Sequence, residues 1–381
     1  MKIAFLECAQ NFGGARKAAI TMAHNLCEQH EASIIDFYGS CKPFIDSCRN
    51  NNLRINILSP SDPYCIQSAQ SLYEKIKNLI LFIPHMVMIN KRLRLICKEQ
   101  NIDYLCVSSF RPMLAIYIMR PKAKVVFFAH AWYIKKVIPK HEMYLLKRVP
   151  DKIVCISEAT RQAIYNNGIS KFEDMTVVQN SICESDIPLE IASIKKKYDD
   201  FVILHNGGFT PGKGQLISVQ IAKELKRRGF CFKMVFTGII YKGNESRIYY
   251  EEVQNKVKEY GLEQNVIFII NRNGVYDYIR ACDILIHPSE TEGFPLCVLE
   301  AQILKKPVIA NAVGGVIDMV LDGYTGFLPD YNNINQYCDI IINLKTNNEL
   351  YNYISQNAYN LARTCFTKEK QIVKLNKVFS K

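Results

Sequence analysis

Glu292 and Glu300 are separated by seven residues in the stretch Ser289–Ala301, SETEGFPLCVLEA. The apolar run DILIHP before it reads as a buried strand. The run LCVLEAQIL after it reads as a helix that starts just past Pro295. One carboxylate therefore lies on a strand-to-helix loop, and the other about two turns into the helix. The exposed N–H groups of a helix start form an anion site. A carboxylate beside an anion site needs hydroxyls or a cation as partners. A sugar nucleotide offers matching groups, an anionic diphosphate flanked by hydroxyl-rich rings. Two glutamates at this spacing occur by chance in most chains of this size. The weight therefore rests on the strand, the Glu-Gly-Phe-Pro turn and the apolar helix taken together.

Three more segments bring reactive groups to strand ends. In His205–Gln215, HNGGFTPGKGQ, Lys213 lies between Gly212 and Gly214 just before a helix. A lysine at a glycine-rich helix start is a good diphosphate ligand; a surface lysine in a turn is the plainer account. In the first loop, Asn11–Arg16, two glycines let backbone approach a ligand closely, and a simple tight turn explains them equally well. His130 closes the strand KVVFFAH, where open α/β sheets place ligands; a histidine hydrogen-bonded at a sheet end is the alternative. Trp132, the one tryptophan of the chain, is a candidate for stacking on an acceptor.

Taken in order, these segments resemble the retaining GT-B glycosyltransferases, especially glycosyltransferase family 4. The resemblance spans nearly the whole chain and is strongest from Leu204 to Gly326. It implies an α/β fold of GT-B type, with two Rossmann-like domains facing a cleft and a C-terminal helix crossing back to the first domain. It also implies roles. Glu300 would hold the nucleotide ribose and Glu292 the donor sugar. Backbone at Phe294, Pro295 and Leu296 would meet the diphosphate or sugar. Lys213 would bind the diphosphate, and His130 would contact the donor sugar near the reacting carbon. Gly14 and Arg16 lie in the glycine loop that faces donor phosphates and acceptor. Arg16 replaces a usual glutamate, and a cation there suits a phosphate-bearing acceptor. Gly208 stands where an arginine is expected, so one of two phosphate cations is missing, and Arg16 or backbone N–H groups would substitute. Ser157 and Asn180 match later landmarks and could equally be structural caps and turns; Ser181 follows Asn180 where glycine is common. NAVGGVIDMVLDGYTGF resembles the family's glycine-glycine segment, with Asp318 where glutamate is usual, and reads as structural.

The implied reaction is front-face transfer with retention, the leaving phosphate taking the acceptor's proton and no protein nucleophile. No cofactor is expected, and no metal, because the chain lacks an Asp-x-Asp motif. The alternatives are a nucleotide-sugar epimerase of the same fold, which would isomerise a donor without an acceptor, and an inactive sugar- or nucleic-acid-binding module.

The elements that must position these residues alternate along the chain, as in parallel α/β sheets. Strands are expected at KIAFLE, ASIIDFYG, YLCVSSF, KVVFFAH, KIVCIS and MTVVQNS, then at FVILHNGG, CFKMVFTG, VIFIIN, DILIHPS, PVIANAV and GFLPD. At 381 residues two domains are the natural prior. The expected division is 1–190 for the acceptor domain, 198–360 for the donor domain and 361–381 for the returning helix, with a linker near Cys183–Lys197. The first strand, interrupted by Glu7, does not read as a signal peptide. The apolar stretch Asn78–Asn90 is too short to span a membrane and is broken by Pro84. Fourteen scattered cysteines, with no C-x-x-C pair, suit a reducing, cytoplasmic compartment.

Charge is concentrated in one place. From Tyr64 to Val149 there are fifteen Lys and Arg against four Asp and Glu, a net of +11 in a chain of net charge +12. A solvated basic face accounts for this. So does a surface that meets anionic lipid, since Lys75, Lys77, Lys91, Arg92, Arg94 and Lys98 are interleaved with apolar runs. No nucleic-acid-binding motif accompanies them. The expected partners are a nucleotide sugar, a glycan or lipid-linked acceptor and the anionic inner face of the cell membrane. The expected product is a cell-surface polysaccharide such as lipopolysaccharide or capsule.

Overall fold

A computed structural model describes residues 1–60, 72–133, 138–182, 187, 200–241, 244–270 and 275–380. The chain divides into two units, Met1–Asn180 with Gln371–Lys381, and Ser181–Lys370. The expected linker lies outside the described residues except at Ile187. Residues 361–370, assigned in the sequence reading to the returning helix, fall in the second unit.

Unit 1 is built on a seven-stranded sheet with all pairs parallel. Its strands are β1 (Lys2–Glu7), β2 (Glu31–Asp36), β3 (Arg54–Ile57), β4 (Tyr104–Val107), β5 (Lys124–Ala129), β6 (Lys152–Cys155) and β7 (Met175–Val177), in spatial order 3-2-1-4-5-6-7. Strands covered on both faces read as continuous apolar runs, and β4, YLCV, is buried at every position. Helices α1 (Gly14–Leu26), α2 (Lys42–Asn50), α3 (Leu72–Glu99), α4 (Phe110–Ile118), α5 (Lys140–Arg148) and α6 (Glu158–Asn166) make the crossovers. The order reverses direction between β1 and β4, and such switch points are where open α/β sheets bind ligands. Helix α3 runs through Pro84 without ending there. No helix among the described residues is long and apolar enough to cross a membrane.

Unit 2 repeats the plan with five parallel strands, β8 (Phe201–Asn206), β9 (Phe232–Gly238), β10 (Val266–Ile270), β11 (Ile284–His287) and β12 (Val308–Ala310), in order 10-9-8-11-12. The switch point here is between β8 and β11. The expected strand at GFLPD is not formed; Phe327 makes only an isolated bridge to Ile309. The next segment is held by a turn instead, in which the Leu328 N–H donates to Asp322 Oδ1 at 2.8 Å. Helices α7 (Gln215–Arg227), α8 (Asn244–Glu259), α9 (Val275–Ala281), α10 (Leu296–Ile303), α11 (Ile334–Thr346) and α12 (Asn348–Cys365) follow.

The last helix, α13 (Lys368–Phe379), brings the chain end into unit 1. Leu375, Val378 and Phe379 join the core that holds Phe5 and Phe128. Gln371 Nε2 donates to the Gln179 carbonyl at 2.8 Å, and the Tyr104 hydroxyl donates to the Phe379 carbonyl at 2.8 Å. Each large apolar side chain so buried contributes about 1.5–3 kcal/mol. That is ample to fix the terminal helix against the entropy of fraying.

Candidate functional site

The carboxyl ends of β8 and β11 converge on one cluster. After β8 the chain passes Gly207 and Gly208, makes a 3-10 turn at Pro211–Lys213, and enters α7 through Gly214. Gly214 has φ +73°, and a Cβ built on it would lie 2.0 Å from the Pro288 carbonyl oxygen. Only glycine allows the lysine turn to press against the loop that follows β11. The Glu290 N–H donates to the Gly212 carbonyl at 2.9 Å and ties the two loops together.

This approach pairs residues 79 positions apart in sequence: Lys213 Nζ donates to Glu292 Oε1 at 2.7 Å. The same oxygen is 2.7 Å from His287 Nε2 at the end of β11. The Ser289 hydroxyl is 3.1 Å from that nitrogen, and Cys297 Sγ is 3.5 Å from His287 Nδ1. Burial alone would lower the His287 pKa, but the contacts with Cys297 and Glu292 push it up to about 10. Burial likewise opposes the charge on Glu292, yet Lys213 and His287 hold its carboxyl well below the usual range. At neutral pH the trio is one carboxylate between two cations. Among the described residues no hydrogen bond reaches Glu292 Oε2. Behind the trio, His205 is pushed down to about 3 by burial, His287 and Lys213, so it is neutral.

Glu300 is the fifth residue of α10 and is buried at 4% exposure, as Glu292 is at 7%. Pro295 caps α10 and has no N–H of its own, so the N–H donors of this helix start are Phe294, Leu296 and Cys297. The Phe294 ring turns inward, edge-on to Phe366 at 5.3 Å; its side chain is core. Gly208, where the resemblance expects an arginine, has no room for one. A Cβ there would lie 2.4 Å from the Tyr241 hydroxyl, so the Tyr241 ring occupies that space. The segment 314–316 forms a short 3-10 turn, and the Gly315 N–H donates to the Glu292 carbonyl at 3.4 Å.

Unit 1 presents a second charged cluster at its own switch point. Helix α1 starts at Gly14. Arg16 turns back to the sheet end, its Nε 3.5 Å from Glu7 Oε2, while NH2 donates to the Cys8 carbonyl at 3.4 Å. Arg16 was expected to face phosphate; here its charge is matched by a buried carboxylate. Glu7 also accepts from the Ser108 hydroxyl at 2.7 Å. Burial raises the Glu7 pKa, with Arg16 and Ser108 acting against it. His130 follows β5 and stacks on Phe128 at 6.3 Å, with Nδ1 enclosed and unpartnered. Burial and Arg16 push it down to about 4, so it is neutral at pH 7. Trp132 is half-buried. Ser157 is the N-cap of α6, accepting from the Thr160 N–H at 3.1 Å, which is the structural role. Asn180 is buried at the end of unit 1. No group of three or more His, Cys, Asp or Glu placed to hold a metal ion occurs among the described residues.

His287, Cys297, Tyr241 and Glu7 join these two clusters without being assigned a role by any of the sequence motifs above. His287 was within reach, being the polar residue that ends an apolar strand five positions before Glu292.

Comparison with known proteins agrees with this organisation. Residues 12–185 match the family model described as Glycosyltransferase Family 4, and residues 186–361 match the model described as Glycosyl transferases group 1. An uncharacterized glycosyltransferase of Methanocaldococcus jannaschii is 29% identical over 229 residues, 60% of this chain and 59% of that protein. The UDP-Gal:alpha-D-GlcNAc-diphosphoundecaprenol alpha-1,3-galactosyltransferase of Escherichia coli is 25% identical over 60% of this chain and 57% of its own length. The chain thus spans less than two thirds of the length of these relatives. Among solved structures, Anabaena HepE in complex with UDP-glucose superposes with a TM-score of 0.80 at 20% identity, covering 99% of each chain. That likeness is one of fold.

Proposed function

We propose that this chain, which belongs to glycosyltransferase family 4, moves a sugar from a nucleoside-diphosphate donor to an acceptor hydroxyl with retention of configuration. The observation that carries the reading is the Lys213–Glu292–His287 cluster at the unit 2 switch point. Its excess of one positive charge suits an anion. Lys213 and the N–H groups that open α10 would take the diphosphate and stabilise it as it leaves. Glu292, with Oε2 uncommitted, would accept hydrogen bonds from hydroxyls of the transferred sugar. Glu300 would hold the ribose. HepE, solved with UDP-glucose, and the E. coli galactosyltransferase, named for UDP-Gal, support a nucleotide donor for this chain.

Retention follows from front-face attack. The acceptor hydroxyl approaches from the side of the departing diphosphate, its oxygen bonds to the anomeric carbon as the carbon–oxygen bond to phosphate breaks, and its proton passes to a phosphate oxygen. No protein nucleophile is invoked: Glu292 is paired with two cations through Oε1, and its Oε2 is given to hydroxyls of the transferred sugar. His130 is uncharged and would serve as a hydrogen-bond partner. Lys213 and the start of α10 would do the work that a metal does elsewhere. We place the acceptor among glycans and lipid-linked glycans of cell-surface polysaccharide synthesis, met at the cytoplasmic face of the membrane by the basic segment of unit 1.

A thermal-shift panel of nucleotide sugars tests the donor. A ligand at one hundred times its Kd stabilises the fold by about 2.7 kcal/mol, an easily read rise in Tm. A panel in which no nucleoside-diphosphate sugar raises Tm would count against the proposal.

A further inference from the structure

Unit 1 holds a half-buried cation with one enclosed nitrogen, and no anion matches it among the described residues. Arg111 is the second residue of α4, just past β4, so it flanks the β1–β4 switch point. It forms no ion pair among the described residues, and its enclosed NH1 has no hydrogen-bond partner. The polar groups acting on its guanidinium are the Cys8 thiol and the Tyr38 phenol. Both are uncharged at neutral pH, since burial pushes the thiol up to about 11 and the phenol above its ordinary value.

Two neighbouring donors share this condition. Tyr38 is 2% exposed, and its hydroxyl meets the Arg111 guanidinium but finds no acceptor for its own proton. Ser109 is the N-cap residue of α4 but makes no cap hydrogen bond, and its enclosed hydroxyl is likewise unpartnered. The Tyr38 ring is held in place by His85, stacked at 5.8 Å with 4° between planes. Burial, Arg111 and Arg92 keep the His85 pKa below its ordinary value, so it adds no second cation here. The carboxylates of this sheet end are already committed. Asp36 accepts from the N–H groups of Ala9 at 2.9 Å and Gly39 at 2.8 Å. Glu7 is held by Arg16 and Ser108.

An enclosed guanidinium nitrogen without an acceptor, beside hydroxyls that find no acceptor, is costly unless a ligand supplies one. We propose that Arg111, Tyr38 and Ser109 with the start of α4 form a binding site for a phosphate or diphosphate group. On the reading of the chain as a glycosyltransferase, that group belongs to the acceptor. A guanidinium presents a fork of N–H donors that matches two phosphate oxygens. The third oxygen falls to the hydroxyls and the N–H groups of the helix start. A phosphate could come from a lipid-linked diphosphate or from a soluble sugar phosphate.

The test uses the full chain carrying Lys213→Ala, which removes the donor-side cation. Inorganic pyrophosphate is titrated by calorimetry, and Arg111→Met, Arg111→Lys and Tyr38→Phe are added in turn. Binding should persist in the Lys213→Ala protein. Arg111→Met should weaken it by about ten- to a hundredfold, and Arg111→Lys less. Tyr38→Phe should weaken it several-fold while leaving the stack on His85. If Arg111→Met lowers Tm, the lysine and phenylalanine variants carry the test. Two further arms separate the sources. Competition by glucose 1-phosphate indicates a soluble acceptor. Selective retention on phosphatidylcholine vesicles containing a prenyl diphosphate, relative to plain phosphatidylcholine, indicates a lipid one. No pyrophosphate binding in the Lys213→Ala protein, or binding that ignores Arg111, overturns the site. The donor reading is scored separately by the thermal response to nucleotide sugars in Arg111→Met, which should equal that of the unaltered chain.

Discussion

Replacing Lys213 and replacing Glu292 should move nucleotide affinity in different directions, although the two residues are partners. Lys213→Met keeps the aliphatic stem and removes an ammonium 2.7 Å from Glu292 Oε1. Against an incoming phosphate at ~4 Å, one charge is worth about 4 kcal/mol at the dielectric of a partly buried site. Much of that is offset by desolvation and by the loosening of the hold on Glu292. The net is that of a charge-assisted hydrogen bond, about 1.5–3 kcal/mol, or roughly ten- to a hundredfold in Kd. A nucleoside monophosphate, lacking the second phosphate, should lose less. Glu292→Gln works the other way. Cys297 and Glu292 together hold His287 charged against burial; with the Glu292 charge gone, the prediction is that the ring gives up its proton. The cluster then goes from two cations and one anion to one cation, with the same net charge. Nucleoside-diphosphate affinity should stay within about threefold or rise, while turnover falls because the sugar hydroxyls lose their acceptor. Calorimetry on the unaltered chain and both variants at one salt concentration reads all of this. A loss of diphosphate affinity in Glu292→Gln as large as that in Lys213→Met would refute the charge argument and make Glu292 a positioner of Lys213.

The proton on His287 also ties stability to pH. Its pKa is raised to about 10 from 6.5, so its contribution is fully present below pH 6.5 and is lost as pH rises through 10; in that interval this group should lower stability by about 1.4 kcal/mol per pH unit. Urea unfolding between pH 7 and 9.5 should show that slope in the unaltered chain and not in Glu292→Gln. Restoring the family arginine with Gly208→Arg should lower Tm and donor affinity by collision with Tyr241, and adding Tyr241→Ala should recover part of both. Transfer activity should survive EDTA; loss of activity reversed by Mg²⁺ or Mn²⁺ would overturn the metal-free reading. Co-sedimentation with anionic vesicles should exceed that with neutral ones and fall with salt, and charge reversal at Lys91, Arg92 and Arg94 should reduce it.

The parts of the fold that were legible in the sequence are those whose local pattern and tertiary setting agree. Runs such as VVFFA and ILI are apolar throughout because both faces of a parallel strand are covered. β3, RINI, was missed because an outer strand of four residues alternates and presents no apolar run. GFLPD was misread because its apolar residues pack singly, with a turn to Asp322 doing the work of a ladder. Pro84 suggested a break, yet α3 continues through it. At the site, the loop residues Lys213 and Glu292 were visible as motif members, but their ion pair was not, since it depends on Gly214 letting two loops touch. Arg16 looked like a spare phosphate cation; its pairing with Glu7 depends on α1 bringing it back over the end of β1, which no spacing rule reveals. Arg111 drew no attention, because an arginine early in a helix is ordinary until its surroundings are known to lack an anion.

The most direct test of the account is a crystal structure with the nucleotide sugar selected by the thermal-shift panel. The account predicts a diphosphate oxygen about 2.7–2.9 Å from Lys213 Nζ, the ribose hydroxyls on Glu300 and a hydroxyl of the transferred sugar on Glu292. A diphosphate bound away from the β8–β11 switch point, or a ribose that does not reach Glu300, would contradict it.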